Sequence, residues 1–232
     1  MLPDPGALEE SEPQALRDRA TTETLRKQTQ EHQGETLRHV RNALGVVRTI
    51  ACRPVAVDET AEEYQARLVG RLDSFARLQS YLFRDPSAGV DLYSLIADEL
   101  VAFSVQLGTE AQVDGQAVFL KPKAASALAG AFHELTRISI EGGGLTYGDS
   151  RIIVRWGVEG HVGAAPNLWI NWTERGRQAE LSSDAENEFG RDVEGPIAYA
   201  LAGTVALHIT RDILNCRFCI PASWIVGVAD AL

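Results

Sequence analysis

Three short runs of this chain carry residue types that could do chemistry. The first is Arg38-His39-Val40-Arg41-Asn42. Leu37, Val40, Leu44, Val47 and Ala51 recur at a 3-4-3-4 spacing, a heptad seam that places Arg38 and His39 on outward positions of a helix. An accessible imidazole can serve as a nucleophile, whereas a permanently charged arginine cannot. The second run, His133-Glu134-Leu135-Thr136-Arg137-Ile138, leads into Glu141-Gly142-Gly143-Gly144-Leu145, a helix with an imidazole beside a carboxylate that runs into a glycine-rich turn. The third is Trp172-Thr173-Glu174-Arg175-Gly176-Arg177, a strand entering a glycine turn, where Trp172 alternates inward with Ile170. His133 beside Glu134 is not a zinc site, because no second histidine follows four residues on. Cys216-Arg217-Phe218-Cys219 is formally C-x-x-C, but it lies inside a strand pattern, which sends the two cysteines to opposite faces.

The elements that must position these residues belong to a globular chain. It has 232 residues, 45% of them hydrophobic and 23% charged, which suits one large domain or two modest ones. The net charge of −10 disfavours nucleic acid and anionic membrane surfaces as partners. No apolar run approaches the length of a spanning helix, and the first residues lack the pattern of a signal peptide. The expectation is a cytoplasmic protein.

Residues 1–20 read as a flexible polar tail and residues 21–84 as a helical hairpin. Pro54 ends its first helix, and Asp58-Glu59-Thr60 offers caps for the second. Tyr64, Leu68, Leu72, Phe75, Leu78 and Leu82 form the second stripe. One hairpin cannot enclose a core, so two should pair as a homodimeric four-helix bundle. Asp85-Pro86-Ser87-Ala88-Gly89 reads as a linker. Beyond it, Asp91 caps a helix expected to run to Gln106, and residues 113–120 are one bent strand or a pair. Pro122 opens the His133 helix. Residues 151–159, 167–174, 204–210 and 213–220 are strands, and residues 193–202 are a helix with Pro196 in its first turn. The pattern predicts a two-layer α/β sandwich over residues 90–222. An apolar extension over 223–232 is expected to pack on it.

Four segments resemble the HWE family of histidine kinases. Residues 35–50 are similar to the family's E-L-N-H-R-V-K-N helix, and residues 64–72 to its F-x-x-R-F-x-x-R-L. His133, Glu134, Leu135, Gly143 and Leu145 match H-E-L-x-x-N-x-x-K-Y-G-A-L. Trp172 and Glu174 match W-x-E. The resemblance implies an α + α/β protein: an antiparallel hairpin dimerising into a four-helix bundle, then an α/β sandwich of the histidine-kinase ATPase type.

It also marks departures. Counted back from Asn42, the phosphoacceptor slot holds Arg38, and the histidine is displaced to His39, rotated by about 100° on a regular helix. In-line phosphoryl transfer makes such a rotation costly. The family's metal-ligand asparagine is Ile138, which has no oxygen to offer Mg²⁺. Its lysine is Glu141, which would repel phosphates. The phosphate loop becomes Glu188-Phe189-Gly190-Arg191, with one glycine lost, and the second glycine of W-x-E-x-G-G is Arg177. Trp172, Glu174 and Gly176 retain the base-recognition end, and Glu134 is the family's candidate general base.

The combined changes lead to an expectation of a degenerate kinase core with weak or absent ATP and Mg²⁺ binding, no other cofactor and no metal site. Such a core would act by binding the receiver domain of a response regulator. The alternatives are a histidine phosphotransferase, or a receiver phosphatase, working through His39, and an active kinase.

Overall fold

The computed structural model describes residues 11–55, 59–84, 88–142, 145, 151–160, 165–177, 187 and 189–229. The chain divides into two compact units, residues 1–54 and 55–232.

The described part of the first unit is one helix, α1 (Ser11–Ala51). It starts ten residues before the predicted position, so the polar stretch read as a tail is helical from Ser11 onward. Pro13 lies in the first turn, where its missing N–H costs nothing, and no glycine interrupts the chain until Gly34.

The second unit begins with α2 (Ala61–Arg84). Its start is a reciprocal capping box. The Glu63 N–H donates to Thr60 Oγ1 (3.2 Å), and the Thr60 N–H donates to Glu63 Oε2 (2.9 Å). The proposed cap Asp58 lies outside the described residues, as do Asp85, Pro86 and Ser87 of the expected linker. The contacts divide after Pro54, and α2 belongs with the sandwich that follows it.

Next come β1 (Val90–Asp91), α3 (Leu92–Ala102), β2 (Ala111–Gly115), β3 (Ala117–Leu120) and α4 (Pro122–Glu141). Asp91 caps α3 as expected, accepting from the Ser94 N–H at 3.0 Å. That helix stops at Ala102 rather than Gln106, because Ser104 takes a left-handed conformation, φ 64°. Residues 113–120 are indeed a strand pair, but the two strands enter different sheets. β4 (Arg151–Glu159) and β5 (Asn167–Arg175) follow. A π turn at Gly190–Glu194 leads into α5 (Gly195–Leu201), then β6 (Thr204–Ile209) and β7 (Ile213–Pro221).

The main sheet has the order β2-β4-β5-β7-β6, with β2 parallel to β4 and every other pair antiparallel. Inward residues alternate without a break: Ile152, Val154 and Trp156; Leu168, Ile170, Trp172 and Glu174; Leu214, Cys216, Phe218 and Ile220. Cys216 is buried and Cys219 is half-buried on the opposite face, so the C-x-x-C is two ordinary strand residues. The run expected as an apolar extension forms β8 (Ile225–Ala229), which joins β3 and β1 in a second sheet. No helix among the described residues is long and apolar enough to cross a membrane.

Candidate functional site

Helix α4 lies over the inner face of the sheet. Leu128, Phe132 and Leu135 are fully buried, and the Phe132 ring stacks on Trp172 with centroids 6.4 Å apart. The same helix carries His133, then Glu134, Ile138 and Glu141 on successive turns. Ile138 is 1% exposed and part of the hydrophobic core.

Helix α2 meets α4 with a polar stripe. Arg67, Arg71, Ser74 and Leu78 are its buried residues, at helical spacing, while Leu68, Leu72 and Phe75 of the predicted apolar stripe are half-buried. Arg71 Nε donates to Glu134 Oε1 at 2.6 Å, and its Nη2 donates to Asp192 Oδ2 at 2.5 Å. Arg137 Nε takes the other Glu134 oxygen at 3.0 Å, and its Nη1 reaches both Glu141 oxygens at 2.7 Å. Burial alone would raise the Glu134 pKa. Arg71 and then Arg137 more than offset this and hold it down at about 2. A carboxylate held so low is a weak base near neutrality.

A second cluster forms on the adjoining turns. Ser74 Oγ donates to Glu99 Oε1 at 2.6 Å, Arg77 Nη2 donates to Oε2 at 2.9 Å, and His133 Nδ1 lies 3.3 Å from Oε2. Burial pushes the Glu99 pKa up, but the hydrogen bond with His133, then that with Ser74 and the positive charge of Arg77, leave it lowered overall. Gly70 permits this approach, since a Cβ there would stand 3.1 Å from the imidazole. His133 is 3% exposed, so it sits inside the α2–α4 contact.

At the far end of α4, Trp172 and Glu174 are 0% exposed. The Arg177 side chain is buried beside them. Its Nη1 donates to Glu174 Oε2 at 2.9 Å and to the Ile138 carbonyl at 3.3 Å. The guanidinium fills the space where a side chain on Gly142 would project; a Cβ there would lie 2.7 Å from its carbon. Gly176, at φ +82°, turns the chain so that Arg177 points back inward. Gly190 opens the π turn, and a Cβ there would make only ordinary contact, its nearest neighbour being Glu194 Oε2 at 3.7 Å. Gly143, Gly144 and Glu188 lie outside the described residues.

His133, Glu134, Ile138, Glu141, Trp172, Glu174, Gly176 and Gly190 therefore share the second unit. Arg38, His39 and Asn42 are exposed on α1 in the first. Sequence reasoning missed Arg71, Asp192 and Glu99 as partners of the His133 helix. The available signal was the spacing of Arg67, Arg71 and Ser74, which puts three polar residues on one helical line with Leu78.

This sandwich is the α/β fold of histidine-kinase ATPase domains. It is similar to the Erythrobacter litoralis EL346 blue-light activated histidine kinase, with a TM-score of 0.56 and 12% identity, covering 80% of this chain and 59% of that one. The chain thus spans 59% of that kinase's length. The histidine kinase domain of the same protein gives a TM-score of 0.48 at 14% identity, covering 79% of this chain and 95% of that one. Acinetobacter baumannii histidine kinase AdeS gives 0.39 at 12%, covering 79% and 96%. Residues 36–117 match the family model described as HWE histidine kinase. Over that stretch the chain is similar to HWE histidine kinases. No curated protein matches the sequence.

Proposed function

We propose that this chain is a histidine-kinase core that has lost ATP-dependent autophosphorylation and acts by binding a response-regulator receiver domain. The observation that carries the reading is Arg177. By resemblance, Glu174 belongs to the base-recognition end of the nucleotide pocket, and here its carboxylate is bonded to a guanidinium from the same chain. Three further features support it. Ile138 offers Mg²⁺ no oxygen and is packed in the core. Glu141 is paired with Arg137 and leaves no cation in the lysine slot. Both oxygens of Glu134 are bonded to arginines. The described residues of this pocket therefore fit Mg-ATP poorly. Titration calorimetry with ADP, with and without Mg²⁺, tests this point, with little or no binding expected. Receiver binding is tested by titrating a labelled receiver domain with the full chain.

A second reading rests on a separate observation: His39 is exposed on α1. A histidine phosphotransferase needs a nucleophilic imidazole and no ATP, and a receiver phosphatase needs only to orient water. A phosphorylated receiver offered to wild type and to His39→Ala separates these cases. Equal loss of phosphate with both proteins removes His39 as a relay. The heptad seam supports homodimerisation through α1, since Leu37 and Leu44 are 67% and 63% exposed. Sedimentation of wild type against Leu37→Glu/Leu44→Glu checks it, with a shift from dimer to monomer expected.

A further inference from the structure

The outer face of the main sheet carries a charge pattern opposite to that of the chain as a whole. Arg151 on β4 stands directly across from Arg175 on β5. Like charges directly opposite in an antiparallel pair are destabilising. Four residues further along β4, one row runs Asp114, Arg155, Asn171 and Arg217 across four strands. The spacing along a strand sets these two arginine rows about 13 Å apart. Arg155, Arg175 and Arg217 are exposed and have no ion-pair partner among the described residues. Asp114, at the edge of that row, is its one carboxylate.

Between the arginines lies a groove of about 360 Å³, lined by Ile153, Arg155, Trp169, Asn171, Thr173 and Arg175. Trp169 lies flat across Gly157, where a Cβ would come within 2.9 Å of its ring. Trp169 Nε1 and Asn171 Oδ1 are buried, with no hydrogen-bond partner among the described residues. An unmet donor beside an unmet acceptor matches the two polar groups of a peptide unit. Guanidinium groups on both sides match carboxylates, which they can hold in two parallel hydrogen bonds. In an extended peptide, alternate side chains fall on one face at about 7 Å intervals, so every second carboxylate meets an arginine row.

We propose that this face binds an extended acidic segment of a partner protein, with Arg155, Arg175 and Arg217 taking its carboxylates and Trp169 and Asn171 its backbone. The proposal does not depend on the state of the nucleotide pocket. Nucleic acid shares the negative charge, but the unmet donor and acceptor of Trp169 and Asn171, which match a peptide unit, favour the peptide.

The test is fluorescence anisotropy with the full chain and three labelled probes. These are a short peptide alternating glutamate and threonine, the same peptide with glutamine for glutamate, and a short single-stranded oligothymidylate. The acidic peptide is expected to bind, the glutamine peptide to bind at least tenfold more weakly, and added salt to weaken the acidic complex. Arg155→Ala/Arg175→Ala should weaken it by about tenfold or more. Melting curves of the variant should match wild type, since both residues are on the surface. No binding of the acidic peptide, equal binding of the glutamine peptide, or an unaffected double variant overturns the proposal. Tighter binding of the oligothymidylate, lost in the same variant, overturns the choice of a peptide.

Discussion

Two buried carboxylates, Glu134 and Glu174, are each met by an arginine, and the two pairings do different work. Arg71 reaches Glu134 from 63 residues away, so their bond fastens α2 to α4. Arg177 lies three residues from Glu174, so that ion pair is local, and Arg177 reaches another element through its bond to the Ile138 carbonyl. It fills a space within the sandwich, against Gly142 and the Ile138 carbonyl. One arginine is an anchor between elements and the other fills space beside Gly142. Both protect a buried charge, which is expensive to leave alone. Only the first should govern how the elements hold together.

Breaking the anchor should have the largest effect. Arg71→Ala takes one cation from each of two buried carboxylates, leaving Glu134 with Arg137 and Asp192 with Arg191, and should cost about 3–5 kcal/mol. Urea unfolding measures this, and a loss below about 1 kcal/mol would show that the cluster is not the fastening. Arg71→Met keeps the length of the side chain and should fare no better, because the loss is of charge rather than packing.

Acid sharpens the comparison next. The folded pKa of Glu134 is about 2, below the ordinary carboxylate value of 4.5. Its contribution is therefore fully present above about pH 4.5 and is lost as pH falls through about 2. The linkage is on the order of 3 kcal/mol. Thermal melts between those limits should show a steep decline in wild type and a shallower one in Glu134→Gln.

Arg177→Ala comes third. It removes the occupant without loosening α2 and should cost about 1–3 kcal/mol through the carboxylate left at Glu174. It should also free space beside Gly142. ADP binding stronger than in wild type is the expected sign, read by calorimetry. The smallest of these effects belongs to Gly70→Ala. Its new methyl would press on the His133 ring at 3.1 Å and should cost about 1 kcal/mol, seen as a small drop in the melting temperature.

Much of the fold was legible before any coordinates. Strict alternation located β4, β5 and β7 to within a residue, Pro122 marked the start of α4, and Asp91 the cap of α3. Trp172 was readable as core because it alternates with Ile170. These are local signals. What escaped depends on distant partners. Arg67, Arg71 and Ser74 look like a solvated helix face until Glu59, Glu99, Glu134 and Asp192 are brought to them by the chain. Arg177 was legible as a lost glycine but not as the partner of Glu174, because the turn at Gly176 decides where it points. β8 was missed because it needs β3, more than a hundred residues earlier, to pair with it.

The central claim is that the base-recognition end of this kinase-type pocket is taken by Arg177 and that the core no longer phosphorylates itself. Incubation of the full chain with labelled ATP and Mg²⁺ tests it most directly. The account predicts no label on the chain above background. Robust labelling of wild type that disappears in His39→Ala would contradict it.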